Sequence, residues 1–365
     1  MINIHFFPSK RLAWYLARSF LTRSLAVLGG LVVLLMMLDL LGNSGRILAQ
    51  PGNNESQLWY YVGLRLPQLV QQFLPFALLL GTLITLAAMN QNSEIISMKA
   101  AGVSAHQIIA PLMVASLIIA AAHFVFNERV VTRATAALNS WADVNYGSIP
   151  PQSGAQTNVW VREGDDLIFA RQVSGTGADT RLQGITVYDR TGGTLSGILT
   201  GDSARFANPG WQVTNARRFD VEAGTVQTSP LLKIGEGIDP IQFTLAAVDP
   251  NEQSLWQLRL SIDELEQAGR SIRSAEANWW HKISGPLSSV LMPLLAAIAA
   301  FGLARSGQLF LRAVAGMGLG FSYFVADNFA LAMGNFGAYP PLLAAWGPFF
   351  LFLLIGETVL IRTEE

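Results

Sequence analysis

Two aspartates stand where aspartates are costly. Asp39 and Asp327 each fall inside a long apolar stretch, and His123 and Glu357 lie in or beside two others. A charged side chain at the centre of a bilayer costs about 2.5 kcal/mol or more, so each needs a partner, water or a neutral state. Two carboxylates sharing one proton would be the chemistry of an aspartyl protease working inside a membrane. The glycine context expected beside such an aspartate is missing, so interhelical hydrogen bonding is the reading for Asp327, and Asp39 and His123 are expected near the outer interface. His5, His106, His123 and His281 are scattered without metal-ligand spacing, and cysteine is absent, which excludes thiolate metal sites and cysteine nucleophiles. No Gly-x-Ser-x-Gly elbow, His-Glu-x-x-His or P-loop motif is present, so the chain has no phosphate cradle with which to hydrolyse ATP. Gly316-Met-Gly-Leu-Gly320 has no strand before it and reads as a small-residue contact between helices.

One short segment has the makings of a contact site. In Asn90-Gln-Asn-Ser-Glu-Ile-Ile-Ser-Met-Lys-Ala-Ala-Gly102, Asn92 or Ser93 can cap a helix, Glu94 suits its first turn and Gly102 can end it. Ile95, Met98 and Ala101 would share one face, with Glu94 and Lys99 elsewhere. On spacing alone it reads first as an amphipathic turn lying on the membrane, and second as a lever docking into a cytoplasmic partner.

Six apolar spans must position these groups. Half of the 365 residues are hydrophobic and only 13% are charged. Windows near twenty residues long match a hydrocarbon core of roughly 30 Å. They run from about Phe20 to Leu41, Val70 to Met89, Gln107 to Phe126, Ile283 to Leu303, Leu311 to Met333, and Leu342 to Ile361. The first is too long for a cleavable signal and no small-residue cleavage site follows it. With the N-terminus inside, the cytoplasmic segments hold Lys10, Arg11, Arg18, Arg23, Lys99, Arg305, Arg312 and Arg362, and the short outer loops hold only Arg46 and Arg65. Eight against two places both termini in the cytoplasm and the stretch 127–280 outside. The net charge of -1 gives no case for nucleic acid.

The outer stretch reads as β. Val159, Val161, Leu167 and Phe169 alternate with polar residues around a Glu163-Gly-Asp-Asp166 turn, and Thr191-Gly-Gly193 and Asn208-Pro-Gly210 are further turns. A sandwich or jelly roll follows from such spacing. Ser261-Ile-Asp-Glu264 resembles a capping box opening a helix, Gly269 interrupts it, and Trp279 and Trp280 anchor the entry to the fourth span.

Three motifs in this order carry a family resemblance. Ser93-Glu-Ile-Ile-Ser-Met-Lys-Ala-Ala-Gly102, Val159-Trp-Val-Arg-Glu-Gly-Asp-Asp-Leu-Ile-Phe169, and Trp280-His-Lys-Ile-Ser-Gly-Pro-Leu287 with Arg312 to Asn328 resemble the LptF/LptG permeases of lipopolysaccharide export, nearest the LptG branch. The likeness covers the whole chain and implies a three-plus-three bundle, over 1–126 and 281–365, with a β-jellyroll inserted at 127–280. It also implies an LptF-like partner permease, a dimer of the cytoplasmic ATPase LptB using ATP and magnesium, no cofactor on this chain, and an exit through LptC and LptA. Lipopolysaccharide would enter between spans one and five of the two subunits. Glu94 carries over as the residue that meets the ATPase, with Ile95, Met98 and Lys99 beside it, and with it the lever reading takes precedence. Family lysines along the outer half of span one are replaced here by Met36-Met-Leu-Asp-Leu-Leu-Gly-Asn43, leaving Arg46, Arg129 and Arg133 as candidates for lipid phosphates.

Val161, Ile168, Phe169, Ile185, Val187 and Phe206 are read first as ordinary β-domain core and, given the resemblance, as an acyl-chain groove. The competing class is a membrane-anchored assembly or sensor protein that moves nothing.

Overall fold

The computed structural model describes residues 9–147, 156–175, 179–191, 193–235, 238–240, 243, 249–267, 270–302 and 309–364. His5, Gly192, Gly269 and Arg305 lie outside the described residues. Helix α1 (Lys10–Leu48) begins where the Ser9 hydroxyl accepts from the Leu12 amide, and its 39 residues rise about 58 Å. It therefore overruns the expected span at both ends. Capping boxes at Asn54/Gln57 and Ser104/Gln107 open α2 (Glu55–Gln91) and α4 (Ala105–Phe126), with the short α3 (Glu94–Ala100) between. A π-helical turn (Asn127–Val131) joins α4 to α5 (Thr132–Asp143).

After the sheet come α6 (Leu255–Gln267), α7 (Arg273–Gly302), α8 (Leu309–Asn335) and α9 (Pro341–Glu364). The capping box of α6 is Ser254 with Gln257, not Ser261 with Glu264. Ser261 is buried within the helix, because the apolar face of Leu258, Ile262 and Leu265 extends upstream of it.

Among the described residues, four helices are long and apolar enough to cross a membrane: α1, α2, α4 with α5, and α9. Helices α7 and α8 pack into the same bundle. Leu291, Leu294, Leu295, Ala296 and Ala297 of α7 are wholly buried against α2, α4 and α9, as an element apolar on every face must be. Gly81 brings α2 against Ser24 of α1 so closely that a Cβ there would lie 2.6 Å from the Ser24 backbone. Gly81→Val is expected to cost about 1–3 kcal/mol by overpacking and to loosen α1, read as a lowered thermal midpoint in nanodiscs.

The β domain is a six-stranded antiparallel sheet with its strands neighbours in chain order: β1 (Gln156–Glu163), β2 (Asp166–Ser174), β3 (Arg181–Thr191), β4 (Thr194–Phe206), β5 (Trp211–Asp220) and β6 (Thr225–Ile234). The expected β-jellyroll fits this sheet. A crease crosses it. Asn158, Gly184 and Asn215, on alternate strands of one row, all have positive φ, which asparagine and glycine adopt most readily. Across that row buried residues recur at a spacing of three (Ala170 and Val173, Leu182 and Ile185, Val213 and Ala216), so one apolar face continues around the bend.

Candidate functional site

Helix α3 is braced on both sides. Ser93 turns the chain at φ 59° without a side-chain cap, and Gly102 ends the segment at φ 84°, a conformation strained for other residues. The Glu94 carboxylate accepts from the Tyr15 hydroxyl of α1 at 3.0 Å, while Asn92 Nδ2 donates to its other oxygen at 3.4 Å. Ile95 is sunk into the bundle core and Met98 packs half-buried beside it. Ile96, Ser97, Lys99 and Ala100 face outward. Of the four residues expected to meet a partner, Glu94 and Lys99 lie on reachable surface and Ile95 and Met98 are the helix's anchors. Ala101 is exposed because the helix has already ended.

The structure does not gather Arg46, Arg129 and Arg133, the three candidates for lipid phosphates. Arg46 lies over the Tyr146 ring, 5.8 Å from its centre, beside the Ile47, Tyr61 and Trp141 cluster. Arg129 and Arg133 are exposed one turn apart, and Arg129 precedes Trp141 by about 18 Å of helix. Asp39 takes the hydroxyl of Tyr61 at 2.6 Å and pairs with Arg65 at 3.2 Å, joining α1 to α2.

Between α2, the π-turn region, α7 and α8 lies a chamber of about 490 Å³, lined by polar and apolar side chains, that sequence reasoning missed. Asp327 does hydrogen-bond across helices, its Oδ2 lying 2.9 Å from His281 Nε2. Lys282 and Glu128 form a buried pair at 3.8 Å, and Glu128 also accepts the Leu255 amide at the start of α6. His123 fronts the chamber almost fully buried, and neither ring nitrogen has a hydrogen-bond partner among the described residues. The available signal was the run of amides Gln68, Gln71, Gln72 and Asn127 at the ends of two apolar spans. Glu357, the last membrane ionisable group, lies 3.5 Å from His106.

Beside the chamber, Asn139 donates to Glu252 at 2.7 Å. Burial pushes the Glu252 carboxyl up, and the Asn139 amide pulls the other way. A carboxyl raised on folding holds its proton more tightly when folded, so its contribution to stability grows as pH falls through that raised value and is lost above it.

Five of the six proposed groove residues share one face of the sheet. Val161, Ile168 and Ile185 are buried there, with Val187 and Phe206 partly covered. Phe169 is a correction. The register pairs it with Trp160 and Thr186, so it lies on the opposite face, where its ring sits 4.9 Å from Trp160. Neighbours along a strand point oppositely, and Ile168 takes the inner side. Phe206 packs edge-on against Trp211, which packs against Phe243 and donates to the Ile238 carbonyl. Ile168→Asp is expected to unfold the β domain, whereas Phe169→Asp should change its stability by less than about 1 kcal/mol; limited proteolysis distinguishes them.

The profile of the family described as lipopolysaccharide export system permease LptF/LptG matches residues 14–362. The export permease LptG of Escherichia coli strain K12 is 27% identical over 311 residues, covering 83% of this chain and 84% of that protein. LptG of Haemophilus influenzae is 26% identical over 332 residues, covering 86% and 89%. Matched along nearly all of its length, the chain belongs to the LptF/LptG family of lipopolysaccharide export permeases.

Proposed function

We propose that this chain is one permease subunit of an ATP-driven transporter that lifts lipopolysaccharide out of the inner membrane and passes it to a periplasmic bridge. In this reading α1, α2, α4, α7, α8 and α9 all cross the membrane, both termini are cytoplasmic and the sheet stands in the periplasm. An LptF-like permease completes the cavity, an LptB-like dimer supplies ATP hydrolysis with magnesium, and LptC and LptA receive the lipid. This chain itself is non-catalytic and needs no cofactor.

The supporting observation is the mechanical tie between α3 and α1. Helix α1 is 11% buried across its most apolar window, with Leu34, Met37, Leu38 and Leu41 all more than half exposed. The same helix holds Glu94 through Tyr15. A push on α3 would therefore move a wall whose apolar face is unpartnered among the described residues. Helix α8 offers a second such wall, with Phe321 and Phe329 exposed.

The energetics demand continuous cover. Each acyl methylene exposed to water costs about 0.8 kcal/mol, so several chains would cost tens of kcal/mol in the open. The inner face of the sheet would continue the apolar wall, with Val187 and Phe206 its accessible members and Val161, Ile168 and Ile185 beneath. The exposed Arg129 and Arg133 would meet lipid phosphates, with Arg46 further out.

Co-expression with LptF-like and LptB-like subunits tests the reading. The expected result is stoichiometric co-purification and ATP hydrolysis stimulated by lipopolysaccharide in nanodiscs. A chain that purifies without the ATPase, with no stimulated hydrolysis, would point instead to a membrane-anchored assembly protein.

A further inference from the structure

We infer that α6 anchors the joint between sheet and bundle to the lipid surface, its Trp256 and Leu260 face entering the outer leaflet of the membrane. The inference rests on the proposed reading that α4 and α7 cross the bilayer, and adds to it the depth at which α6 sits. Two hydrogen bonds set that depth. The Leu255 amide donates to Glu128 Oε2 at 2.6 Å, and Glu128 stands two residues beyond Phe126, where the apolar run of α4 ends. The Leu255 carbonyl accepts from the Trp279 indole at 3.2 Å, and Trp279 stands four residues before Ile283, where the apolar run of α7 begins. One residue is thus pinned at the level where two spans leave the hydrocarbon. Trp256 is the next residue, and it is 79% exposed.

The direction of α6 accounts for the rest of that face. The Arg270 amide, three residues before α7 begins, bonds the Leu265 carbonyl near the end of α6, while the start of α6 meets Trp279. The two helices are therefore antiparallel, with Leu258, Ile262 and Leu265 buried in one cluster with Ala275. Since α7 runs inward, α6 climbs outward. Successive turns of its outward face carry Trp256, Leu260 and Glu264, each about 6 Å beyond the last and all exposed. The headgroup layer is roughly 5–8 Å thick on each side of the hydrocarbon, so two apolar turns followed by a charged one match a helix rising through it. Arg259, on the same helix, is engaged by Asp263 at 3.3 Å and leaves the contact an apolar one. A second bare aromatic lies at this level. Asn335 accepts from the Asn278 amide at 2.8 Å, one residue before Trp279, and Phe336 beside it is 82% exposed. Single exposed apolar residues are ordinary on a watery surface, but large aromatics repeated at one depth are what a bilayer interface collects.

The chain has no cysteine, so a nitroxide on one introduced cysteine reports that position alone. In the full-length chain in phospholipid nanodiscs, its collisions with oxygen, which enters lipid, are compared with those with a nickel chelate, which stays in water. Trp256→Cys should hold the label about 5 Å below the lipid phosphates, Leu260→Cys close to them and Glu264→Cys in water. Ile118→Cys, on the exposed face of α4, should read the hydrocarbon. Trp256→Ser should increase the mobility of the label at Glu264→Cys, and Trp256→Phe should not. A label in water at Trp256→Cys with Ile118→Cys deep would overturn the anchor and leave the spans standing. A label in water at Ile118→Cys would overturn the span reading and the anchor with it. Mobility at Glu264→Cys unchanged by Trp256→Ser would also overturn the anchor. So would shielding at Trp256→Cys that arises only when an LptF-like permease is added, because the face would then belong to a protein partner.

Discussion

Glu94→Ala is expected to leave the chain folded in the membrane and to abolish lipopolysaccharide export. The carboxylate is partly exposed, so its removal creates no cavity, while Ile95 and Met98 still anchor α3 in the bundle. What disappears is the one acidic group of the helix, together with its link to Tyr15. Truncating a central charged contact of an interface costs about 2 kcal/mol or more, or roughly thirtyfold in affinity for the ATPase. Tyr15→Phe separates the two roles. It removes only the hydroxyl, and an exposed interaction of this sort contributes less than about 1 kcal/mol, so ATPase binding should survive nearly intact. If the tie to α1 transmits the stroke, stimulated export should fall more than ATPase binding does. The comparison is read by co-purification on one side and lipid transfer on the other.

Lys282→Met should be among the most destabilising single changes in the chain. Lys282 and Glu128 are both nearly buried, and the substitution strands a carboxylate that is further tied to the backbone of α6. Leaving one member of a buried pair uncompensated costs about 3–5 kcal/mol. The double variant Lys282→Met, Glu128→Gln should recover most of that loss, because the desolvation penalty of both charges is then removed together. Thermal unfolding of the three chains in identical nanodiscs measures it. The same joint holds α6 against the membrane bundle, where Trp279 also donates to the Leu255 carbonyl. The double variant should therefore fold well and still pass movement to the β domain less faithfully.

Much of this was legible in the sequence, for reasons tied to particular residues. Uninterrupted apolar runs placed the long helices, and the turns at Gly164 and Gly193 placed the hairpins, because positive φ there leaves glycine with little competition. The short helix was equally plain, since Glu94 and Gly102 mark its ends. Orientation within it was less so: seven residues make two turns, and which side sinks into the bundle depends on α1 and α2, not on local pattern. Phe169 was misplaced because apolar residues occupy both faces of β2, so alternation alone does not say which is inside. The crease through Asn158, Gly184 and Asn215 changes the period from two to three, which a strict alternation rule misreads. The chamber was the hardest feature to foresee. Its residues come from helices and a loop far apart in the chain, and each polar one alone resembles an ordinary polar residue near a span's end.

The central claim is that acyl chains travel along apolar surfaces of this chain from the bilayer to the sheet without meeting water. Photocrosslinking amino acids at Leu41 of α1, Phe321 of α8 and Val187 of β3 test it directly in the reconstituted complex. The account predicts that the two membrane positions capture lipopolysaccharide before ATP is added and that Val187 captures it only afterwards. Capture at neither membrane position, or a Val187 crosslinker that never captures lipid while transport proceeds, would contradict it.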